Sequence, residues 1–496
     1  MINFLRADFP RAALITTLIT TMIVVLGCLG CADRSPPEAV EVTPVVQPNE
    51  SAAEQVGWRL VGVGACTSSG CHGGGKPNQI VGSEYNIWIA EDPHAQAYSV
   101  LYDDRSLRMV QLLDGPDWDP TRGAHEDDRC LSCHSTTFAP ARNQAGEVFS
   151  DGVGCEACHG PAEGWLSEHY RDGFGDEPKR RDAKHKLGFW DTDNLFTRAQ
   201  VCTGCHVGGP GREVNHDLIA AGHPRLQFEM GAYLQALPKH WDERRDQERH
   251  HGNFAFLTWV LGQAAASQSA LQQLESRAAE GNTWPELSEW SCSACHHDLQ
   301  DNVSLQRNLA RTGGLSGRTI RWDDWNHHLP REYVELISLV LGGDNSAAEK
   351  MARDLDDLAQ LMGSLRADRQ QVETAAHSLS SQLEAWARQL QQTAAGPRAL
   401  EQFSRQIVER ALVQGVGSWS RATLVYDALV SLHQTRLDSA KVTNAIDQQI
   451  TSALEGVYDV LTERYRQPAK YVYQEQEINA RLHELGKLYE QRSRDR

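Results

Sequence analysis

At 496 residues, 40% of them hydrophobic, the chain has room for more than one domain and enough apolar content to bury a core. Its formal net charge of −18 repels a phosphate backbone. Nucleic acid is thereby excluded as a partner, and basic or dipole-matched surfaces are expected instead.

Residues 1–31 have the form of an export signal. Arg6 and Arg11 give a basic start, residues 12–27 an apolar run, and Val25-Leu26-Gly27-Cys28 a lipobox in which Cys28 would be acylated. Cys31 is a poorer acceptor, because Cys28 rather than an aliphatic residue stands three positions before it. An uncleaved anchor or a plain cleavable signal is the alternative. Each version places the body outside the cytoplasm. Residues 32–56, rich in Pro, Glu and Val without periodicity, read as a flexible tether holding that body off the membrane.

Residues 57–330 carry many Gly, Pro and Asp breakers, which predicts short helices, irregular connections and little regular structure. Ten of the twelve cysteines lie here in five pairs, each closed by a histidine directly after the second cysteine. The first set is Cys66, Cys71 and His72, the second Cys130, Cys133 and His134, and the third Cys155, Cys158 and His159. The fourth is Cys202, Cys205 and His206, and the fifth is Cys292, Cys295 and His296. C-x-x-C-H is the attachment signature of c-type haem: the cysteines form thioethers and the histidine becomes the proximal iron ligand. Zinc ribbons and redox dithiols also use paired cysteines, but neither needs that histidine, which is present here five times out of five. Five covalent c-type haems follow, with the core built largely from the haems. Bacterial c-type haem attachment takes place outside the cytoplasm, in agreement with the leader. Trp and Tyr near the motifs read as packing against porphyrin faces. A longer helix is predicted over residues 253–279.

Residues 331–496 contain no cysteine and only three histidines, His377, His433 and His483. Met351, Leu355, Leu358, Met362 and Leu365 step by four and three, as do Val372, Ala376, Leu379, Leu383, Trp386 and Leu390. Ile446, Ile450, Leu454, Val457, Leu461 and Tyr465 repeat the pattern until Pro468. Amphipathic helices in an antiparallel bundle are predicted, so the fold class is mainly α: a multihaem domain followed by a helical one. Covering the haem domain is the simplest role for that bundle, and docking a partner is the alternative.

Fifteen histidines remain beyond the motifs, while only Met109 and Met230 fall between the first and last of them. His/His ligation is therefore expected, with lower potentials than His/Met. His94, His169 and His223 are the preferred distal ligands by position. His216, His240, His250, His251, His327 and His328 are carried without preference.

Residues 60–210 resemble the cytochrome c-554 type of multihaem cytochrome. The first motif is followed by a Trp-containing stretch with a His-Ala pair, residues 88–95. The second and third motifs come in quick succession, the third written G-V-G-C-E-A-C-H-G-P over residues 152–161, then His169 and the fourth motif. The resemblance implies a periplasmic electron shuttle of nitrogen metabolism with closely stacked haems. It also implies that His94 and His169 ligate haems other than their sequence neighbours, and that the His134 haem lacks a sixth protein ligand. The chain departs from the family in its C-x4-C-H first motif, its fifth motif, its lipobox and its helical tail. His125, nine residues before His134, is placed to fill the open site.

The expected function is electron transfer by a membrane-tethered, periplasmic cytochrome with redox proteins as donor and acceptor. The alternative is an oxidoreductase acting on a small nitrogen or sulfur oxide at one five-coordinate haem, that of the second motif. No C-x-x-C-K motif, the mark of the catalytic haem in pentahaem nitrite reductases, is present.

Overall fold

The computed structural model describes residues 58–75, 79–137, 149–171, 174, 184–290, 322, 334, 337–338, 345–392, 395–417, 419–439, 444–466 and 474–494. The leader with Cys28 and the tether lie outside the described residues. The fifth motif lies outside them as well, so neither Cys292 nor Cys295 nor His296 is placed against the other four. The same holds for His327, His328 and Pro468. From residue 58 onwards the described residues belong to one compact unit. No helix among them is long and apolar enough to cross a membrane. They contain no strand, only the isolated bridges Gly209–Arg212 and Trp290–Trp322, so the fold is mainly α as expected.

The first part is a run of short helices with identifiable ends. α1 (Glu84–Glu91) stops at Asp92 because Pro93 follows, pushing Asp92 to an extended backbone with ψ 120°. The Asp92 carboxylate then accepts from the His94 amide at 2.9 Å and starts the next turn. α2 (Asp104–Asp114) gives way to Gly115 and Pro116. α3 (Asp128–His134) is capped by Asp127, and α4 (Cys155–His159) follows the positive-φ Gly152 after two residues. Asn194 caps α5 (Leu195–His206) and Asn215 caps α6 (His216–Ala221), which ends on left-handed Gly222. α7 (Met230–Ala236) is capped by Glu229, and α8 (Glu243–Arg249) by Asp242. Three of the motifs thus coincide with helix C-termini. At i, i+3 spacing both cysteines project to one side, with the histidine beside them.

α9 (Phe254–Ala278) is the mast of the molecule, within one residue of the predicted span at each end. It is buried along its length, as a helix packed from several sides must be. α5 runs alongside it, with Gln200 Nε2 donating to Gln268 Oε1 at 2.8 Å and Gln273 Nε2 donating to the Val207 carbonyl at 2.8 Å. α7 crosses at Gly262, where a Cβ would meet Met230 Cβ at 2.5 Å.

The C-terminal helices close around the other side of α9. They are α10 (Asn345–Leu361), α11 (Arg369–Leu390), α12 (Pro397–Gln414), α13 (Trp419–Ser439), α14 (Ala445–Arg466) and α15 (Glu475–Arg494). α11 runs antiparallel to α9: Gln268 meets Glu384, Glu275 meets His377 and the Ala278 carbonyl meets Arg369. α13 and α14 are antiparallel through Trp419–Leu461, His433–Thr451 and Arg436–Asp447. α12 and α15 are antiparallel through Glu401–Arg492 and Val408–Gly486. The predicted stripes of α11 and α14 are buried, with the Tyr465 side chain outside the described residues. The predicted stripe of α10 is partial: Leu355 is only half-buried, and Met362 and Leu365 lie beyond the helix, which ends at Leu361.

One ion cluster ties this bundle together. Arg492, 4% exposed, donates to Glu401 at 2.8 Å and to fully buried Asp447 at 3.2 Å. Arg436 also stands 3.5 Å from Asp447, so removing Arg492 weakens rather than empties the cluster, and Arg492→Ala should cost about 3 kcal/mol in denaturant unfolding of the full chain. Loss of less than about 1 kcal/mol would mean that the carboxylates find water. His433 lies beside this cluster, its pKa pushed down to about 4 by burial first and then by Arg492 and Arg436. Between its ordinary value and about 4 the unfolded chain takes up a proton that the folded chain refuses. Stability contributed by the neutral ring is therefore complete above the ordinary value and lost as the pH falls through that window. His433→Gln should flatten this acid slope by up to about 1.4 kcal/mol per pH unit in thermal melts compared at pH 7 and 5.

Candidate haem-binding cavity

The turn at 66–72 and helices α3, α4 and α5 converge on one chamber of about 1400 Å³. Pockets for drug-sized ligands are roughly 300–1,000 Å³. All the cysteines and histidines of the first four motifs line it. The fifth set, Cys292 with Cys295 and His296, falls outside the described residues and has no position relative to this chamber. No disulfide forms among the eight described thiols, which are left facing the chamber. Cys66 contacts Cys155 and Cys133 contacts Cys205, bringing the first motif to the third and the second to the fourth. Burial pushes the Cys130 thiol up to about 12 and the Cys202 thiol up to about 11. Those titrations belong to free thiols and vanish once thioethers form.

The histidines are oriented by their Nδ1 atoms. His72 bonds Glu84 Oε2 at 3.0 Å, His94 bonds Asp92 Oδ1 at 2.9 Å, and His134 bonds the Ala97 carbonyl at 2.9 Å. His169 bonds the Leu166 carbonyl at 2.7 Å and His223 the Pro224 carbonyl at 2.8 Å. Carbonyl and carboxylate oxygens accept, so each Nδ1 donates and Nε2 carries the lone pair, as in metal-ligating histidines with a fixed outer partner. His159 and His206 are pushed down to about 4 by burial, which keeps them neutral and in the ligating form.

Three motif histidines face a second imidazole. The centroids of His72 and His169 are 6.0 Å apart at 16°, those of His206 and His94 are 5.9 Å apart at 72°, and those of His159 and His240 are 6.4 Å apart at 83°. Two imidazoles that share one metal at bonds of about 2 Å, with the ring radii added, stand up to about 6 Å apart. The chamber therefore fits iron held between paired histidines. His94 and His169 each oppose a motif other than their sequence neighbour. His223 lines the chamber within electrostatic reach of His134, but no imidazole stacks against His134 among the described residues. His125 stacks on Tyr102 at 4.2 Å and is not part of the lining; neither are His216, His250 and His251.

His240 was not singled out by its sequence context. Its signal was weak: Pro238 breaks the chain after α7, and the Pro238 carbonyl then takes a bond from the ring. Glu156, inside the third motif, was missed altogether. Its buried carboxylate accepts from the amides of Val61 at 3.0 Å, Gly62 at 2.8 Å and Ala162 at 2.7 Å, clasping the start of the described chain to the motif. Gly152 has φ +80°, and a Cβ there would meet the His94 carbonyl at 2.5 Å. That close approach locates the His94 segment against the third motif.

Residues 65–160 match the family model described as Cytochrome c554 and c-prime. Cytochrome c-554 of Nitrosomonas europaea is 27% identical over 101 residues, which are 19% of this chain and 40% of that protein. The chain thus spans less than half the length of this relative. No solved structure matches it.

Gly160, directly after His159, has φ +82°, and a Cβ there would meet the Gly188 carbonyl at 2.2 Å. Gly160→Ala should therefore destabilise the folded chain by at least about 1–2 kcal/mol and lower the yield of haem at the third motif. An unchanged melting temperature with full haem content would show that the turn has another conformation.

Proposed function

We propose, from the premise that residues 65–160 are a c-type cytochrome segment of the cytochrome c-554 type, that the chain is an electron-transfer protein carrying five covalent haems. In this reading it is exported, held at a membrane by acylated Cys28, and exchanges electrons with redox proteins whose docking faces are basic or dipole-matched. The observation that carries the reading is the single chamber in which four Cys–Cys–His sets meet, three of them with an imidazole opposite. When bound, c-type haem supplies a one-electron iron couple whose potential follows its axial ligands and burial.

The chain's own residues do the rest. Cys66 with Cys71, Cys130 with Cys133, Cys155 with Cys158 and Cys202 with Cys205 would hold four groups covalently. Cys292 and Cys295, followed by His296, would hold the fifth; that assignment rests on the motif alone. His72 with His169, His159 with His240, and His206 with His94 would each hold one of three irons between them. Glu84, Asp92 and the Leu166 carbonyl fix the ring planes of His72, His94 and His169 and raise their basicity. The Cys66–Cys155 and Cys133–Cys205 contacts keep neighbouring sets in direct touch, a spacing suited to electrons passing between sites.

A second reading is favoured by one observation: His134 has no imidazole opposite it among the described residues. An open site there would admit a small nitrogen or sulfur oxide, making the second motif the place of an oxidoreductase.

Electron paramagnetic resonance of the oxidised protein, with haem counted as the pyridine haemochrome, separates the two. Five haems that are all low-spin favour the carrier. One high-spin signal that shifts on adding nitrite or nitric oxide favours the enzyme, and fewer than five haems would remove the Cys66 or the Cys292 and Cys295 assignment. His240→Ala should turn one low-spin signal high-spin with the haem count unchanged. An unaltered spectrum would refute the His159–His240 pairing.

A further inference from the structure

The C-terminal helices carry no cysteine, yet two of their charged side chains stand in the chamber wall. Glu384 and Arg388, one turn apart on α11, line it together with Gln268 of α9 and Gln200 of α5. The four form one hydrogen-bonded line. Gln200 Nε2 donates to Gln268 Oε1 at 2.8 Å, Gln268 Nε2 donates to Glu384 Oε2 at 3.1 Å, and Arg388 Nε donates to Glu384 Oε1 at 3.0 Å. The Arg388 guanidinium lies 6.0 Å from the ring of Phe196, fully buried on α5 six residues before Cys202. Apolar side chains would join three helices without the desolvation that such a line costs. A guanidinium braced by a carboxylate and an aromatic face, at the edge of a cofactor chamber, is instead suited to a carboxylate on that cofactor.

We propose that α11 completes the haem chamber: Arg388 binds a propionate of the haem carried by Cys202 and Cys205, and the Glu384–Arg388 pair sets the potential of that haem. This inference rests on the haem reading above. It lies outside the matched segment, which ends at residue 160. The ferric centre carries one positive charge more than the ferrous one, so the two side chains act with opposite signs. Arg388→Gln leaves Glu384 unbalanced, favours the ferric form and lowers the potential. Glu384→Gln leaves Arg388 unbalanced and raises it.

The test uses the full-length holoprotein and the variants R388Q, E384Q and R388K. Haem is counted as the pyridine haemochrome, and each protein is then titrated electrochemically under optical detection. In R388Q one component should fall by about tenfold in its ferric/ferrous equilibrium, or ~59 mV for one electron, and in E384Q one should rise by a similar factor. R388K, which keeps the cation, should return most of the shift. A purely structural contact between helices would not produce shifts of opposite sign. Full haem content with all potentials unmoved, or moved in the same direction in both variants, overturns this inference and leaves the chamber reading standing. Absence of haem from the unaltered protein overturns both.

Discussion

The filling of one chamber is the constraint on which the first half of the chain depends. The chamber of about 1400 Å³ is walled by apolar as well as polar side chains, and a porphyrin seated there would remove that apolar wall from water. The side chains around it cannot close that space on their own. Among the described residues of the first half, one small buried cluster consists of Leu101, Val110, Ala124 and Leu131, while Leu195, Phe196 and Met230 are buried elsewhere. Under the haem reading, the covalent groups are the missing interior, and folding of residues 58–250 is coupled to their attachment. The short helices then need only hold cysteines and histidines at the rim, which is why caps and breakers, rather than long apolar faces, dominate their sequence.

Orientation of the imidazoles follows from the same economy of structure. Three ring Nδ1 atoms are held by groups within three positions: Asp92 for His94, the Leu166 carbonyl for His169, the Pro224 carbonyl for His223. Local turns therefore aim these three rings, whereas His134 is aimed by the Ala97 carbonyl 37 positions away. Pro93 illustrates the coupling. By ending α1 it frees the Asp92 carboxylate to cap the next turn and to bond the His94 ring at once. Gly152 then admits the His94 backbone against the third motif, so two local breakers fix one long-range contact.

What the sequence made legible was whatever is written at short range. The motif spacings located four of the cysteine pairs that line the chamber, and the apolar periods located the buried faces of α11 and α14. Long-range partnership was not legible. The pairing of His169 with His72, across 97 positions, depends on the path of α1 and on the turn at Trp165, which no spacing encodes. His240 follows a proline and precedes a tryptophan like many a loop histidine, and only its placement opposite His159 distinguishes it. Glu156 stands in the third motif as written but its role was not legible, because two of the amides that it clasps, those of Val61 and Gly62, belong to a segment about 95 residues earlier. Periodicity showed that α11 has a buried face but was silent on the half-buried edge where Glu384 and Arg388 stand.

α9 joins these two regimes, and its composition shows how. A helix packed on several sides can be entirely apolar, yet Gln263, Ser267, Gln268 and Gln273 are almost fully buried on it. Gln268 and Gln273 take their partners from α5, and Gln268 also reaches α11. Apolar contacts tolerate sliding by a turn, whereas an amide matched to one partner on each side does not. The register between the motif-bearing α5 and the bundle is thereby set to a single alignment. Under the electron-transfer reading, exchange between fixed centres requires distances that do not drift, and the bundle would supply that fixity through α9. The C-terminal helices are thus more than a cover: by clamping α9 they hold α5, and with it Cys202, Cys205 and His206, in one place.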